Sequence, residues 1–243
     1  MTTVAVIDFE TTGLSPTMGD RATEIAVVLV EGDQVVDRFQ SLMYAGVRIS
    51  AFIEAYTGIS NEMIATAPKA ENVMADASRF VNGRPMVAHN ASFDRRFWMA
   101  EMERADRPGS EPFACTLLLS RRLYPEAPNY KLGSLASFHA LPSSGKAHRA
   151  MADAETAAYL LGRIRTDLRS RFGVPEPRHE LLMKLQACAK KGLARMIEQH
   201  LAKGAAVAAP AALAPALPPA FTPREREEVA EDFGRSEAVQ APV

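Results

Sequence analysis

Asp8 and Glu10 stand two residues apart at the end of an apolar, branched run over residues 4–9. If that run is a strand, its period of two turns both carboxylates to one face, ahead of a Thr11-Thr12-Gly13 turn that frees backbone N–H groups. Alone, such a pair is an ordinary exposed acidic step. Asp94 follows the run Pro85-Met86-Val87-Ala88 through His89-Asn90-Ala91-Ser92-Phe93, and Asp153 lies five residues after His148. By itself Asp94 reads as an acid in the first turn of a helix, favoured by the helix dipole, and Asp153 with His148 reads as a solvent-facing pair early in another helix. Together, four carboxylates gathered at strand and helix ends repel one another and are tolerable only when cations neutralise them. Oxygen donors of this kind select Mg²⁺ or Mn²⁺. Two such ions roughly 4 Å apart serve in-line phosphoryl displacement, one activating the attacking water and the other supporting the leaving oxygen. The remaining need is a base, and His148, a side chain that titrates near neutrality, fits the task of taking a proton from that water.

These groups need a scaffold, and the hydrophobic pattern supplies one. Residues 4–9, 24–30 and 35–43 read as strands, the last two separated by a Gly32-Asp33 hairpin turn, so that an antiparallel trio opens the fold. Helical pieces follow around residues 51–56, 61–65 and 71–81. A short buried strand at 85–88 passes straight into a helix over 92–104, and strand then helix repeats across 113–122. Phe93, Phe97 and Trp98, at helical spacing beside that strand, read as core rather than as a base-stacking platform. Helical spacing returns at Ala154, Ala157, Leu161 and Ile164, and again over a predicted helix at 179–201. From Ala202 to Ala220, ten alanines and four prolines fill nineteen positions, with nothing bulky to bury. The domain reading is a catalytic domain over 1–175, a C-terminal helix over 176–201 packed on or extending it, and an Ala/Pro-rich linker with a charged, disordered tail over 202–243.

Three strings, Asp8-Phe9-Glu10-Thr11-Thr12-Gly13, His89-Asn90-Ala91-Ser92-Phe93-Asp94 and His148-Arg149-Ala150-Met151-Ala152-Asp153-Ala154, make the sequence resemble the DEDDh 3'-5' exonucleases, the family that includes the epsilon proofreading subunit of bacterial DNA polymerase III. Thr57-Gly58-Ile59 and Lys131-Leu132-Gly133-Ser134-Leu135 are similar to two further segments of that family. The resemblance covers roughly residues 3–168 and implies an α/β, ribonuclease H-like fold with a mixed five-stranded sheet flanked by helices. It also implies that Asp8, Glu10 and Asp153 hold one divalent cation, that Asp8 and Asp94 hold a second, and that His148 is the general base. Beyond Ile164 the likeness fades, and no clamp-binding pentapeptide is evident in the C-terminal part.

The resemblance implies a nucleic acid with a 3' end as substrate. Thr11 and Gly13 in the turn are candidate contacts, and Leu14 is placed either to wedge against the terminal base or to cap the core from its loop. Lys146 and Arg149, beside His148, are candidate phosphate contacts, the alternative being solvated surface charges. Net charge is −1, so any attraction for a polyanion must be local. DNA is the favoured substrate, released as nucleoside 5'-monophosphates in proofreading or repair. An exoribonuclease of the ribonuclease T or oligoribonuclease type keeps the same motifs, and a non-catalytic scaffold of a polymerase complex is the reading from another class. The tail is the place for a polymerase or repair partner, or else an inert end. The N-terminus lacks the pattern of a signal peptide, the prolines of residues 205–222 spoil a membrane span, and Cys115 and Cys188 fit neither a zinc site nor a disulfide framework. A reducing, cytoplasmic setting is expected.

Overall fold

A computed structural model of the chain describes residues 2–142 and 148–208. The antiparallel trio is β1 (Val4–Thr11), β2 (Ala22–Glu31) and β3 (Gln34–Leu42). The hairpin between the last two turns at Gly32, whose φ of 59° suits a residue without Cβ. Two short strands, β4 (Met86–Ala88) and β5 (Phe113–Cys115), add in parallel to give one mixed sheet in the order β3-β2-β1-β4-β5. Because β4 runs parallel to β1, Asp8 and Glu10 near the end of β1 and the turn after Ala88 lie at the same end of the strands.

Side chains alternate across β1, and the two faces bury against different helices. Val4 and Val6 join a core with α5 (Thr116–Leu123), α6 (Leu132–Phe138), α7 (Ala150–Phe172) and α8 (His179–Ala187). Ala5, Ile7 and Phe9 join the opposite core with α3 (Ala70–Val81) and α4 (Ser92–Arg104), where Phe97 and Trp98 are fully buried as expected. By this alternation Asp8 and Glu10 continue the face of Val4 and Val6, which is the face α7 covers. Two short helices, α1 (Ala51–Thr57) and α2 (Asn61–Ala65), each begin at a serine whose hydroxyl accepts a backbone N–H, Ser50 and Ser60. The α/β architecture is the one the sequence predicts.

The C-terminal reading needs two corrections. The single helix predicted over 179–201 is two, α8 and α9 (Leu193–Ala208), separated by a 3-10 turn at Lys190–Gly192. The linker reading also starts too early, since helix continues through Ala208, consistent with alanine being the strongest helix former and with the first proline standing only at 210. Residues 1–202 form one compact unit. Within it α8 packs on β5 and α5, and the Gln186 amide lies along the outer strand, accepting from the Cys115 N–H at 2.6 Å and donating to the Phe113 carbonyl at 3.0 Å. Residues 209–243, with the proposed tail, lie outside the described residues. No helix among the described residues is long and apolar enough to cross a membrane.

Candidate active site

The end of β1 carries the first two acids, and the first turn of α7 carries Asp153 opposite them. One carboxylate oxygen each from Asp8, Glu10 and Asp153 lies within 4.8 Å of the others. Asp94, in the first turn of α4, lies outside that triplet and is 2% exposed. Its charge nevertheless reaches Asp8. Burial raises the Asp8 pKa well above the carboxylate range, and Asp94, Asp153, Glu10 and Glu24 push it further. Burial, then Asp153 and Glu24, push Glu10 up to about 7 against the opposing charge of Arg149. Burial pushes Asp94 up to about 8, although backbone N–H groups of Asp94 itself and Phe9 favour its charged form. Asp153 is raised by burial, and His148 opposes that shift. Acids crowded this way outnumber the charges that oppose them, and their all-oxygen donor set fits a hard divalent cation. The chain thus provides three convergent ligands for one cation and a fourth acid, Asp94, whose charge acts on Asp8.

His148 sits at φ 62°, a left-handed conformation that costs a non-glycine residue about 1–3 kcal/mol and persists only when its surroundings impose it. The cause is visible in its contacts. Its backbone N–H donates to Asp153 Oδ2 at 3.3 Å, and its ring lies 4.1 Å from the Tyr56 ring, centroid to centroid, which in turn stacks on Phe52. Tyr56, Lys131, His148 and Asp153 line one cavity of about 1200 Å³. The base candidate and an acid of the triplet therefore share a space large enough for a nucleotide.

The turn after β1 is built around Gly13. A Cβ there would run into the Asp20 carboxylate, which the Ser15 N–H holds in place at 2.9 Å, so the close approach suits glycine. Thr11 is buried and donates its hydroxyl to the Gly13 carbonyl at 2.6 Å. Leu14 is 76% exposed, which removes the alternative that it caps the core. Lys146 lies outside the described residues.

Arg149 departs from the expected phosphate contact. Its guanidinium donates to both oxygens of Glu24, at 2.7 and 3.1 Å. Glu24 also accepts the Ala150 N–H at 3.1 Å, at the first residue of α7, and the Gln40 amide at 2.8 Å. Burial works to raise Glu24, but Arg149, Ala150 and Gln40 outweigh it and hold it below its usual value. On β2 it stands directly opposite Glu10. A second ion pair ties the same strand region to α4: Arg21 donates to both Glu101 oxygens, at 2.8 and 2.9 Å, and Glu101 also accepts the Ala22 N–H. The helices that present Asp153 and Asp94 are thus each fastened to the start of β2 by a buried carboxylate–arginine pair. Glu24 and Glu101 are missed by sequence reasoning, and their one signal is a charge standing in an otherwise apolar stretch, as in Glu24-Ile25-Ala26-Val27-Val28.

His89, after β4, is half-buried, and desolvation lowers its pKa to about 4 against the hydrogen bond to the Tyr130 carbonyl. The ring is neutral near pH 7. Since a carbonyl only accepts, Nε2 carries the proton and donates to Tyr130 at 2.9 Å, leaving Nδ1 to accept from the Thr116 hydroxyl at 2.9 Å. It fastens the segment before α6 to the strand end that leads to Asp94.

Residues 5–161 match the family model RNase_T, described as exonuclease. Among curated proteins, the PolC-type DNA polymerase III of Oceanobacillus iheyensis is 37% identical over 163 residues, 67% of this chain and 11% of the polymerase. The 3'-5' exonuclease DinG of Bacillus subtilis is 36% identical over 182 residues, 74% of this chain and 19% of DinG. The chain therefore spans between a tenth and a fifth of the length of these relatives. Among solved structures, Exonuclease X in complex with 5' overhanging duplex DNA is 29% identical with a TM-score of 0.59, covering 76% of this chain and 99% of that one. The nuclease domain of 3'hExo, a DEDDh family member bound to rAMP, shares the fold at 18% identity and a TM-score of 0.58, over 68% of this chain and 92% of that one.

Proposed function

The chain belongs to the RNase_T exonuclease family, and from that premise we propose that it is a metal-dependent 3'-5' exonuclease that hydrolyses DNA from the 3' end to nucleoside 5'-monophosphates, in proofreading or repair. The observation that carries this reading is the convergence of one carboxylate oxygen each from Asp8, Glu10 and Asp153 within 4.8 Å, with the buried Asp94 near enough for its charge to act on Asp8. Asp8, Glu10 and Asp153 would hold one Mg²⁺ or Mn²⁺, and Asp8 with Asp94 a second. Bound there, the cations supply an activated water and charge stabilisation at the leaving oxygen. The side chains do the rest. His148 takes the proton from the attacking water, and its backbone bond to Asp153 keeps the imidazole beside the acid cluster. The Thr11–Gly13 turn, whose Thr12 N–H is taken by the Arg21 carbonyl at 2.9 Å, lies against the terminal nucleotide, and exposed Leu14 presents an apolar surface to its base.

DNA as the substrate is supported by two relatives, a DNA polymerase and an exonuclease solved with duplex DNA. The test is degradation of matched single-stranded DNA, mismatched duplex and RNA of the same sequence by the purified protein, labelled at either end. The expected result is 3'-5' shortening of DNA with release of 5'-monophosphates, lost in excess EDTA. Activity that persists in EDTA, or shortening from the 5' end, refutes the proposal.

A further inference from the structure

A second cavity, of about 360 Å³, has a mainly apolar wall, and the charged residues that line it are all cations. Arg121, Arg122, Tyr130, Cys188, Ala189 and Lys190 surround it. No carboxylate contributes, and among the described residues none of the three cations is in an ion pair. The two cavities meet along the chain: Tyr130 lines the second, and its neighbour Lys131 lines the first together with His148 and Asp153.

The two arginines are pre-positioned. Tyr130 is fixed at both ends, its carbonyl accepting from His89 and its hydroxyl donating to the Tyr124 carbonyl at 3.2 Å. The Arg121 guanidinium lies over this ring, 5.8 Å from its centroid, within cation–π range. Arg122 is held by the Cys188 carbonyl at 2.9 Å and the Leu118 carbonyl at 2.7 Å. Lys190 opens the 3-10 turn between α8 and α9 and is exposed, with Lys191 beside it. Arginines already immobilised by an aromatic face and by carbonyls lose little further freedom on meeting an anion. Cations without a carboxylate partner, one residue along the chain from the cavity that holds His148 and Asp153, suit a polyanion whose reacting end lies among the acids and whose remaining length needs positive support.

We infer that Arg121, Arg122 and Lys190, with Tyr130, form a backbone clamp for the strand being digested, taking its phosphodiester groups upstream of the scissile bond. The inference rests on the exonuclease reading and adds a site that the acid cluster does not include. Its consequence is length dependence. A long strand is held by both cavities and a mononucleotide ester by the first alone.

The experiment compares wild type with Arg121→Glu, Lys190→Ala and the double variant on two substrates: a single-stranded DNA of about 20 nucleotides, longer than the stretch such clamps commonly cover, and the p-nitrophenyl ester of thymidine 5'-monophosphate. The expected result is a KM for the long strand raised by about 3–10-fold per variant, with a shallower fall in affinity with salt, by about 0.7 in log–log slope for each phosphate that is no longer neutralised. Hydrolysis of the ester should keep its wild-type rate. Unchanged KM and salt slope on the long strand would overturn the clamp, and so would equal impairment on both substrates, which would place these residues at the reaction centre. Failure of the wild type to cleave either substrate would instead strike the exonuclease reading, and the two failures are therefore distinct.

Discussion

Replacing Arg149 by alanine separates two roles that predict different outcomes. A phosphate contact would leave stability alone and raise KM. The observed bonds predict the reverse emphasis, because the substitution strands Glu24, 1% exposed, with no countercharge. Breaking a buried pair from one side costs about 3–5 kcal/mol. The Arg149 side chain is 34% exposed, so water screens part of that loss, and about 2–3 kcal/mol is the reasonable figure. For a chain of this length each kcal/mol moves Tm by about 2–4 °C, which sets the expected drop at about 4–12 °C. Glu24→Gln on the Arg149→Ala background removes the stranded charge and also relieves Asp8 and Glu10, both of which Glu24 pushes upward. Most of the lost Tm should return in that double variant. Activity should not return with it, since α7 is still released at its first turn, and a displacement of about 1 Å at Asp153 costs on the order of 10²-fold in rate. Thermal unfolding followed by circular dichroism, with hydrolysis of a mononucleotide ester on the same samples, checks both limbs. An Arg149→Ala protein with wild-type Tm and a raised KM would refute the reasoning and return Arg149 to the phosphate.

Asp8→Asn should abolish metal-dependent hydrolysis, because Asp8 is the carboxylate shared by the triplet and Asp94; a wild-type rate would remove the two-cation proposal. In metal-free protein Glu10 and Asp94 are raised to about 7 and about 8, so the native state favours their protonated forms, and the stability present in acid is lost as pH rises through those values. The Tm gain from Mg²⁺ should therefore grow between about pH 5 and pH 9, and a gain independent of pH would contradict the cluster. His148→Ala should lower the chemical rate by about 10²–10⁴-fold with Mn²⁺ affinity kept, read by single-turnover kinetics and calorimetry. A chain ending at Ala208 should fold and digest short oligonucleotides at the full-length rate, since every residue placed at the site precedes it.

Much of the fold and the acid cluster is legible in the sequence because strand periodicity is a strong local signal. The alternation that buries Val4 and Val6 under α7 also carries Asp8 and Glu10 to that face, and both facts follow from spacing alone. The helix over 92–104 has the same bounds in sequence and structure. What escapes is non-local. Glu24 and Arg149 are 125 residues apart, and no periodicity announces that one will cap the helix of the other. Arg149 next to a histidine suggests phosphate until its partner is seen. The left-handed turn at His148 likewise depends on Tyr56 and Asp153, which arrive from different elements. At the C-terminus, apolar residues at helical spacing run through Ala189, but the chain breaks there, where Cys188 and Ala189 are extended.

The Gln186 amide along β5 has a consequence for how molecules of this protein meet. β5 is a border strand of only three residues, and a border strand carries backbone groups that invite another strand to pair. One side chain occupies both a donor and an acceptor position there, imitating a single residue of a sixth strand without extending the ladder. A strand from a second copy would have to displace that amide before it gained its own bonds. Resistance to strand pairing at this edge therefore rests on a glutamine in α8, and a change such as Gln186→Leu would leave the catalytic residues in place while opening a seam for self-association.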